Sequence, residues 1–121
     1  MIARQSTPLL LFVAGALGAA ACAERPEERG RQLYMDHGCA VCHGTGGRGD
    51  GPSARRLDAR PRDFADRRTY RQGSGQDNIV ASIRQGTGAM PAFRDLSESE
   101  ARDIAAWIVS LQRAGQPGDQ P

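Results

Sequence analysis

The chain has 121 residues, of which 25% are charged and 39% hydrophobic, and its formal net charge at pH 7 is +2. A chain of this length forms one small domain. All 16 basic residues are arginine, but they are balanced by 14 acidic residues. No nucleic-acid-binding motif accompanies these arginines, which argues against a nucleic-acid-binding protein.

The first 21 residues predict a signal peptide. Arg4 gives a positive start, an apolar stretch covers residues 8–17, and small residues follow up to Ala21. The apolar stretch is too short for a comfortable membrane span. We therefore expect cleavage rather than a retained anchor, and export to the bacterial periplasm.

Cys22 leaves two kinds of processing open. It directly follows three alanines, so it could be the lipid-modified first residue of a bacterial lipoprotein. A lipobox usually has Leu three residues before the cysteine, where this chain has Ala19. Cleavage after Ala21 or Ala23 also fits the rule of small residues at signal-peptidase sites. We predict a short linker over residues 22–26, with a candidate membrane tether at Cys22.

A first helix is predicted over residues 27–37. Its apolar face follows from the three- and four-residue spacing of Gly30, Leu33, Tyr34 and His37. A glycine inside a helix costs about 1 kcal/mol relative to alanine. We therefore expect Gly30 to lie where another backbone comes close.

The most informative feature is the run Cys39-x-x-Cys42-His43. Two thiols at this spacing can each form a thioether with a haem vinyl group, and the adjacent histidine can ligate the iron, so the run predicts covalently bound haem c. A zinc site would need a second ligand pair, but only Cys22 and His37 are left. A thioredoxin-like dithiol should lie in a βαβ unit, and no strand pattern is visible.

Residues 44–76 predict loops. The glycine-rich run over residues 44–51 lacks the Gly-Lys-Ser/Thr ending of a P-loop, so we expect a tight turn around the haem edge. Residues 52–76 should be irregular, with one helical turn near Leu57. Eight Arg and four Asp lie between positions 48 and 71. A solvated surface is favoured over a docking patch, and one or two of these arginines could bind the haem propionates.

Two further helices are predicted. One covers residues 77–85 and ends at Gly86. The other begins with a capping box, in which Ser97 is the N-cap and Glu100 the third helical residue. Its apolar stripe consists of Ile104, Trp107, Ile108 and Leu111. Gly115 is expected to stop this helix, which gives a folded domain over residues 27–114 and a disordered tail over residues 115–121.

Met90 is the candidate for the sixth iron ligand. It lies in the loop between these two helices, far enough from His43 for the chain to reach the other haem face, and Pro91 stiffens the loop. Met35 lies inside the first helix and is expected to be a core or surface residue. His37 is too close to His43 to share the same haem easily. Methionine–histidine ligation raises the reduction potential relative to two histidines.

Residues 27–113 resemble a class I c-type cytochrome with a single haem. The resemblance rests on Gly30 and Tyr34 before the Cys-x-x-Cys-His run, on the segment from Gly49 to Pro52, and on Met90-Pro91 before a last helix with Trp107 and Leu111. It implies an all-α fold of three main helices wrapped around one covalently bound haem. It also implies that the first and last helices cross near Gly30 and Trp107, and that a proline carbonyl, for which Pro52 is the candidate, accepts the proximal imidazole N–H.

These residues predict an electron carrier rather than an enzyme. With His43 and Met90 both bound, the iron has no open position for a substrate. We expect single-electron transfer between periplasmic or membrane-bound redox proteins, through small and transient encounters. One alternative is a fixed haem subunit of a larger oxidoreductase, which should expose a large apolar patch. The other is a gas-binding or catalytic haem protein, in which Met90 is absent from the iron or easily displaced.

Overall fold

The computed structural model describes residues 23–70 and 73–115. Within these ranges lie four α-helices: α1 (Pro26–Asp36), α2 (Ala40–His43), α3 (Gln76–Gln85) and α4 (Glu98–Ala114). Two 3₁₀ turns, Ala54–Arg56 and Arg67–Thr69, interrupt the long loop between α2 and α3. The all-α class is confirmed, with α1, α3 and α4 as the three main helices. The predicted signal peptide, Cys22 and residues 116–121 of the predicted tail lie outside the described residues.

The helix ends follow the local sequence. Pro26 occupies the first position of α1, where its missing N–H costs nothing. At the start of α4 the Ser97 side chain accepts from the Glu100 N–H, and the Glu100 carboxylate accepts from the Ser97 N–H, so the predicted capping box is confirmed. Gly86 and Gly115 are the C-caps of α3 and α4. In the described part of the chain, every helix is too short or too polar to cross a membrane.

Helices α1 and α4 cross at Gly30, as expected. A Cβ atom on Gly30 would overlap the carbonyl of Asp103 and lie 2.9 Å from the Ile104 nitrogen. One turn further along α1, the ring of Tyr34 packs on Trp107 with a centroid distance of 4.5 Å. The glycine therefore allows the two backbones to touch, and the aromatic pair fills the space beside the contact.

The core lies between α4 and the other two main helices. Its largest fully buried side chains are Tyr34, Leu96 and Ile104. The apolar face of α3 packs against α4 and contributes Ile79, Val80 and Ile83. Burying an aliphatic side chain of this size contributes about 1.5–3 kcal/mol. This core fixes the frame on which α2 and the long loops are held.

Candidate haem site

The short helix α2 carries the Cys-x-x-Cys-His run. The N–H of Cys39 donates to the carbonyl of Tyr34 at 3.1 Å, which joins α2 to the end of α1. Cys39 and Cys42 are both half-buried free thiols. Cys39 is the N-cap of α2 and has helical backbone angles, so Cys39 and Cys42, three positions apart, share one face of this helix.

The chemistry of the thiols argues against a redox dithiol or a zinc site. Burial raises the pKa of the Cys39 thiol to about 11, whereas reactive Cys-x-x-Cys pairs have a lowered thiol pKa. Across residues 23–70 and 73–115, no group of three or more His, Cys, Asp or Glu side chains is placed to hold a metal ion. A cofactor that uses the two thiols as covalent attachment points fits these residues better.

The imidazole of His43 is held in the form that an iron ligand requires. Its ring stacks on Phe64, with a centroid distance of 4.6 Å and an angle of 24° between the planes. Its Nδ1 atom lies 3.4 Å from the carbonyl oxygen of Arg62. When Nδ1 donates to this carbonyl, Nε2 keeps a free lone pair for a metal. Burial lowers the pKa of His43, although the carbonyl of Arg62 acts in the opposite direction.

The expectation that Pro52 supplies the acceptor for His43 was wrong. Pro52 is exposed, and the residues on either side of it bind the backbone of α2 instead. The N–H of Gly51 donates to Cys42 at 3.1 Å, and that of Ser53 donates to Val41 at 2.9 Å. The carbonyl that lies beside the imidazole belongs to Arg62, which follows Pro52 by a further loop. Any residue can supply a carbonyl, so the sequence contains no signal for this acceptor.

The glycine-rich run over residues 44–51 forms turns that wrap around α2. The N–H of Gly49 donates to His43 at 2.8 Å, and the carbonyl of Gly47 accepts from Phe64 at 2.8 Å. The buried Tyr34 hydroxyl donates to the carbonyl of Gly44. The segment from His43 to Gly49 is thus connected by hydrogen bonds both to helix α1 and to the loop that carries Phe64.

Met90 lies in the loop between α3 and α4, on a different element from His43. At Gly86, where φ is +77°, a Cβ atom would lie 2.8 Å from the Met90 carbonyl and 2.9 Å from the Ala92 nitrogen. Thr87 and Met90 exchange two backbone hydrogen bonds of 3.1 and 2.9 Å. The Met90 side chain is partly buried and packs against the same hydrophobic core as Cys39. Met35, in contrast, is 40% exposed on α1.

One basic side chain near His43 also fits a haem. The Nη1 atom of Arg62 is buried and has no hydrogen-bond partner within residues 23–70 and 73–115. A buried cationic nitrogen needs an anionic or polar acceptor, and haem has two propionate groups. Together with the paired thiols and the neutral imidazole, this nitrogen makes the residue set compatible with covalently bound haem.

Comparison with known proteins identifies the family. Residues 25–108 match the family model described as cytochrome C oxidase, cbb3-type, subunit III. Cytochrome c6 of Synechocystis sp. is 32% identical over 114 residues, which cover 89% of this chain and 85% of that protein. Cytochrome c-551 of Azotobacter vinelandii is 30% identical over 89 residues, which cover 69% of this chain and 98% of the relative.

Comparison with solved structures also finds a cytochrome c6. Cytochrome c6 of the diatom Phaeodactylum tricornutum matches 74% of this chain and 98% of its own, with a TM-score of 0.57 and 26% identity. A chain of the reducing HAO-like protein complex of Kuenenia stuttgartiensis matches with a TM-score of 0.67 and 29% identity. The match covers 74% of this chain but only 44% of the Kuenenia chain. The protein therefore belongs to this cytochrome family and is a class I monohaem c-type cytochrome, an electron-transfer protein rather than an enzyme, with one covalently bound haem c.

Proposed function

We propose that Cys39 and Cys42 hold haem c through two thioether bonds, and that His43 and Met90 are its two axial ligands. Haem with both axial positions filled supplies one-electron chemistry without binding a substrate. The observation that carries this proposal is the environment of His43, which is stacked on Phe64 with Nδ1 directed at a backbone carbonyl. Such an outer hydrogen bond fixes the ring orientation and the tautomer of a metal-binding histidine.

Met90 has the second role in this proposal. A thioether is a neutral and weak donor, so it favours ferrous iron and raises the reduction potential relative to a second histidine. The partly buried position of Met90 against the core supports this role. The exposed position of Met35 on α1 makes it unsuitable as a ligand.

Electrons should enter and leave beside Val41. This residue lies between the two cysteines and is 48% exposed, so the attached haem edge would lie close to the protein surface. Met35 and Val41 are the large apolar side chains exposed in the described ranges. Two such residues suit a small and transient contact better than a permanent interface. We therefore favour a carrier that moves between redox protein partners.

A fixed haem subunit of a larger oxidoreductase is the second candidate. Two of the similarities favour it, since the matching family model describes an oxidase subunit and the Kuenenia relative is part of a complex. Gel filtration of a mildly solubilised extract, followed by the haem absorbance, separates the two candidates. Haem that elutes at the mass of one chain supports the carrier, whereas haem that elutes only with a much larger assembly supports the subunit.

Export to the periplasm is also proposed, because covalent haem attachment in bacteria takes place outside the cytoplasm. Residues 1–21 would be the signal peptide, and Cys22 the first mature residue if it is lipidated. A lipid anchor would keep the haem near the membrane surface and its respiratory or dehydrogenase partners. The intact mass of the mature protein tests this. A diacylglycerol adduct that is lost in Cys22→Ser supports the tether, and an unmodified chain beginning at Cys22 or Glu24 excludes it.

Optical spectra test the axial ligands directly. Wild type should be low-spin, show the ferric methionine-ligation band and ignore carbon monoxide. Met90→Ala should lose the band and bind the gas. Met35→Ala is the matched control, because it removes a methionine from the surface, and it should behave as wild type. If wild type is already high-spin or binds carbon monoxide readily, the iron is open and the gas-binding or catalytic alternative replaces the carrier.

A further inference from the structure

We propose that a surface cleft of this domain binds a phosphate group, carried either by a small organic molecule or by a lipid headgroup. The cleft lies between the 3₁₀ turn Arg67–Thr69, the start of α3 and the last turns of α4, and its volume is about 400 Å³. Sites for small molecules begin at a volume of about 300 Å³. The residues that line this cleft differ from those proposed to hold the haem, so the inference is independent of the axial ligands.

Two arginines give the cleft its charge. It is lined by Arg67 from the 3₁₀ turn and by Arg113 from the last turn of α4, and we call it the arginine cleft. The described residues that line it include no acidic side chain. Two guanidinium groups that line one space repel each other, and an anion between them removes this repulsion. Arginine binds phosphate through two parallel, charge-assisted hydrogen bonds.

The acidic residues that border the arginine cleft in sequence pair with arginines outside it. The carboxylate of Asp66 accepts two hydrogen bonds from Arg68, at 2.9 and 3.1 Å. The carboxylate of Asp77, in the first turn of α3, accepts from Arg102 at 2.8 Å. In the described part of the chain, the two arginines of the cleft form no ion pair. Their positive charge is therefore available to a ligand.

Hydrogen bonds hold the walls of the arginine cleft in place. The Nε atom of Arg67 donates to the Ser74 hydroxyl at 3.3 Å, which leaves the two terminal nitrogens of this arginine for a ligand. Gln112 is only 4% exposed, and its side-chain nitrogen donates to the Ser74 carbonyl at 3.1 Å. This buried amide fixes the end of the loop against α4. Part of the cleft is thus formed before a ligand arrives, which lowers the entropic cost of binding.

A phosphate ester suits this cleft better than a chloride ion does. A phosphate monoester carries about −1.5 to −2 charges at pH 7 and has three acceptor oxygens, which match two guanidinium groups. Val109 adds an apolar wall, against which a small organic body can pack. Lipid headgroups offer the same phosphate oxygens, and the proposed tether at Cys22 would hold the domain near them. Both arginines are exposed, so we expect a dissociation constant of about 1 mM that rises with salt.

The first test titrates the ferrous, haem-loaded protein with glycerol 3-phosphate and follows the backbone amide signals by NMR. The signals of Ser74 and Gln76 should shift and saturate. Arg67→Gln and Arg113→Gln should each weaken binding by about fivefold, the size of an exposed charged contact. Both side chains are exposed, so we expect both variants to fold and to keep the optical spectrum of wild type.

Arg84→Gln is the matched control. Arg84 is an equally exposed arginine in the last turn of α3, outside the lining of the cleft, so this variant loses the same charge at another place. It should bind glycerol 3-phosphate as wild type does. Equal weakening in Arg84→Gln and Arg113→Gln would overturn the proposal, because attraction by net charge alone does not depend on position. The same amide shifts in sodium chloride of equal ionic strength would overturn it as well.

Vesicle sedimentation separates the two sources of phosphate. It is measured in the Cys22→Ser background, so that a lipid tether does not contribute. Sedimentation with phosphatidylglycerol but not phosphatidylcholine vesicles, lost in Arg113→Gln and kept in Arg84→Gln, assigns the cleft to lipid headgroups. Binding of glycerol 3-phosphate without vesicle binding assigns it to free organic phosphates. A protein that binds neither probe overturns the proposal, and an unchanged optical spectrum would show that the haem ligation is unaffected by this failure.

Discussion

The proximal side, residues 39–64, and the distal loop, residues 86–96, hold the two proposed iron ligands in different ways. His43 belongs to a helix that is hydrogen-bonded to the preceding helix and, through Gly49, Gly51 and Ser53, to the following loop. Its ring is additionally stacked and hydrogen-bonded through Nδ1. Met90 lies in a loop that is closed by its exchange with Thr87 and by the hydrogen bond from the Phe93 N–H to Ile83 at 2.9 Å.

This difference indicates that the fold holds the proximal side more firmly than the distal loop. The proximal ligand is built into the fold, because the backbone before it and the backbone after it are both fixed. The distal ligand depends on a short loop whose ends are fixed by Gly86 and by the Ser97 cap. Regions with fewer packed contacts open at lower free energy than the global transition. We therefore expect the proposed bond between the haem iron and Met90 to break before the rest of the molecule unfolds.

The largest difference should come from the two phenylalanines that flank the ligands. Phe64 is only 7% exposed, and its ring stacks on His43. Phe64→Ala removes this ring. We expect a loss of about 4 kcal/mol in the free energy of unfolding, within the usual range for a buried Phe→Ala change. Phe93→Ala, in the partly buried distal loop, should cost about 2 kcal/mol, since less apolar area is lost. Denaturant unfolding of both haem-loaded variants measures the two losses in free energy of unfolding. Equal losses would contradict the claim that the proximal side is held more firmly than the distal loop.

Gly30→Ala tests the crossing that supports both sides. The new methyl group would meet the Asp103 carbonyl on α4, a backbone atom that cannot move alone. We expect a loss of about 3 kcal/mol, at the upper end for overpacking. Gly46→Ala is the matched control, because Gly46 has open space around it, and it should change stability by less than about 0.5 kcal/mol. If both variants are equally stable, α1 and α4 do not cross here.

Tyr34→Phe weakens the link between α1 and the proximal loop. It leaves the Gly44 carbonyl without the Tyr34 hydroxyl, which should cost about 1.5 kcal/mol at pH 7. Burial raises the pKa of Tyr34. Its contribution to stability is therefore complete below the unfolded pKa near 10 and is lost as the pH rises toward the folded value. Thermal unfolding from pH 7 to 11 should show the difference between wild type and Tyr34→Phe shrinking, and a constant difference would refute this assignment.

The smallest effect is expected at the end of the distal loop. Ser97→Ala removes the N-cap of α4 and should cost about 1 kcal/mol. Ser97→Thr keeps the hydroxyl group and should restore most of the stability. If the distal loop opens before the proximal side, Ser97→Ala should also lower the denaturant concentration at which the methionine-ligation band disappears. An unchanged band midpoint would show that the cap does not support the distal loop.

The parts of the fold that depend on side-chain pattern could be predicted from the sequence. Periodicity and capping located the three main helices to within one or two residues, and the cost of a helical glycine indicated the close approach at Gly30. The Cys39-x-x-Cys42-His43 run identified the cofactor. Features that depend on backbone carbonyls were not predictable. The acceptor for His43 belongs to Arg62 rather than Pro52, and the path of the loop decides which carbonyl arrives there.

The short helix α2 and the two 3₁₀ turns also escaped prediction in detail. Elements of three or four residues are too short for periodicity to act, and their hydrogen bonds come from the surrounding loops. Only the helical turn near Leu57 was expected, and the structure places it at Ala54–Arg56. The burial of the Arg62 Nη1 atom likewise depends on tertiary contacts, because the arginines of this segment look alike in sequence.

One denaturant titration tests the central claim that the two ligands are held differently. The ferric, haem-loaded wild type is followed at once by its methionine-ligation band and by far-ultraviolet circular dichroism. The account predicts that the band disappears at a lower denaturant concentration than the helical signal, since the distal loop opens first while the proximal side keeps its structure. Coincident transitions would contradict it, because both ligands would then be lost together in a single global unfolding.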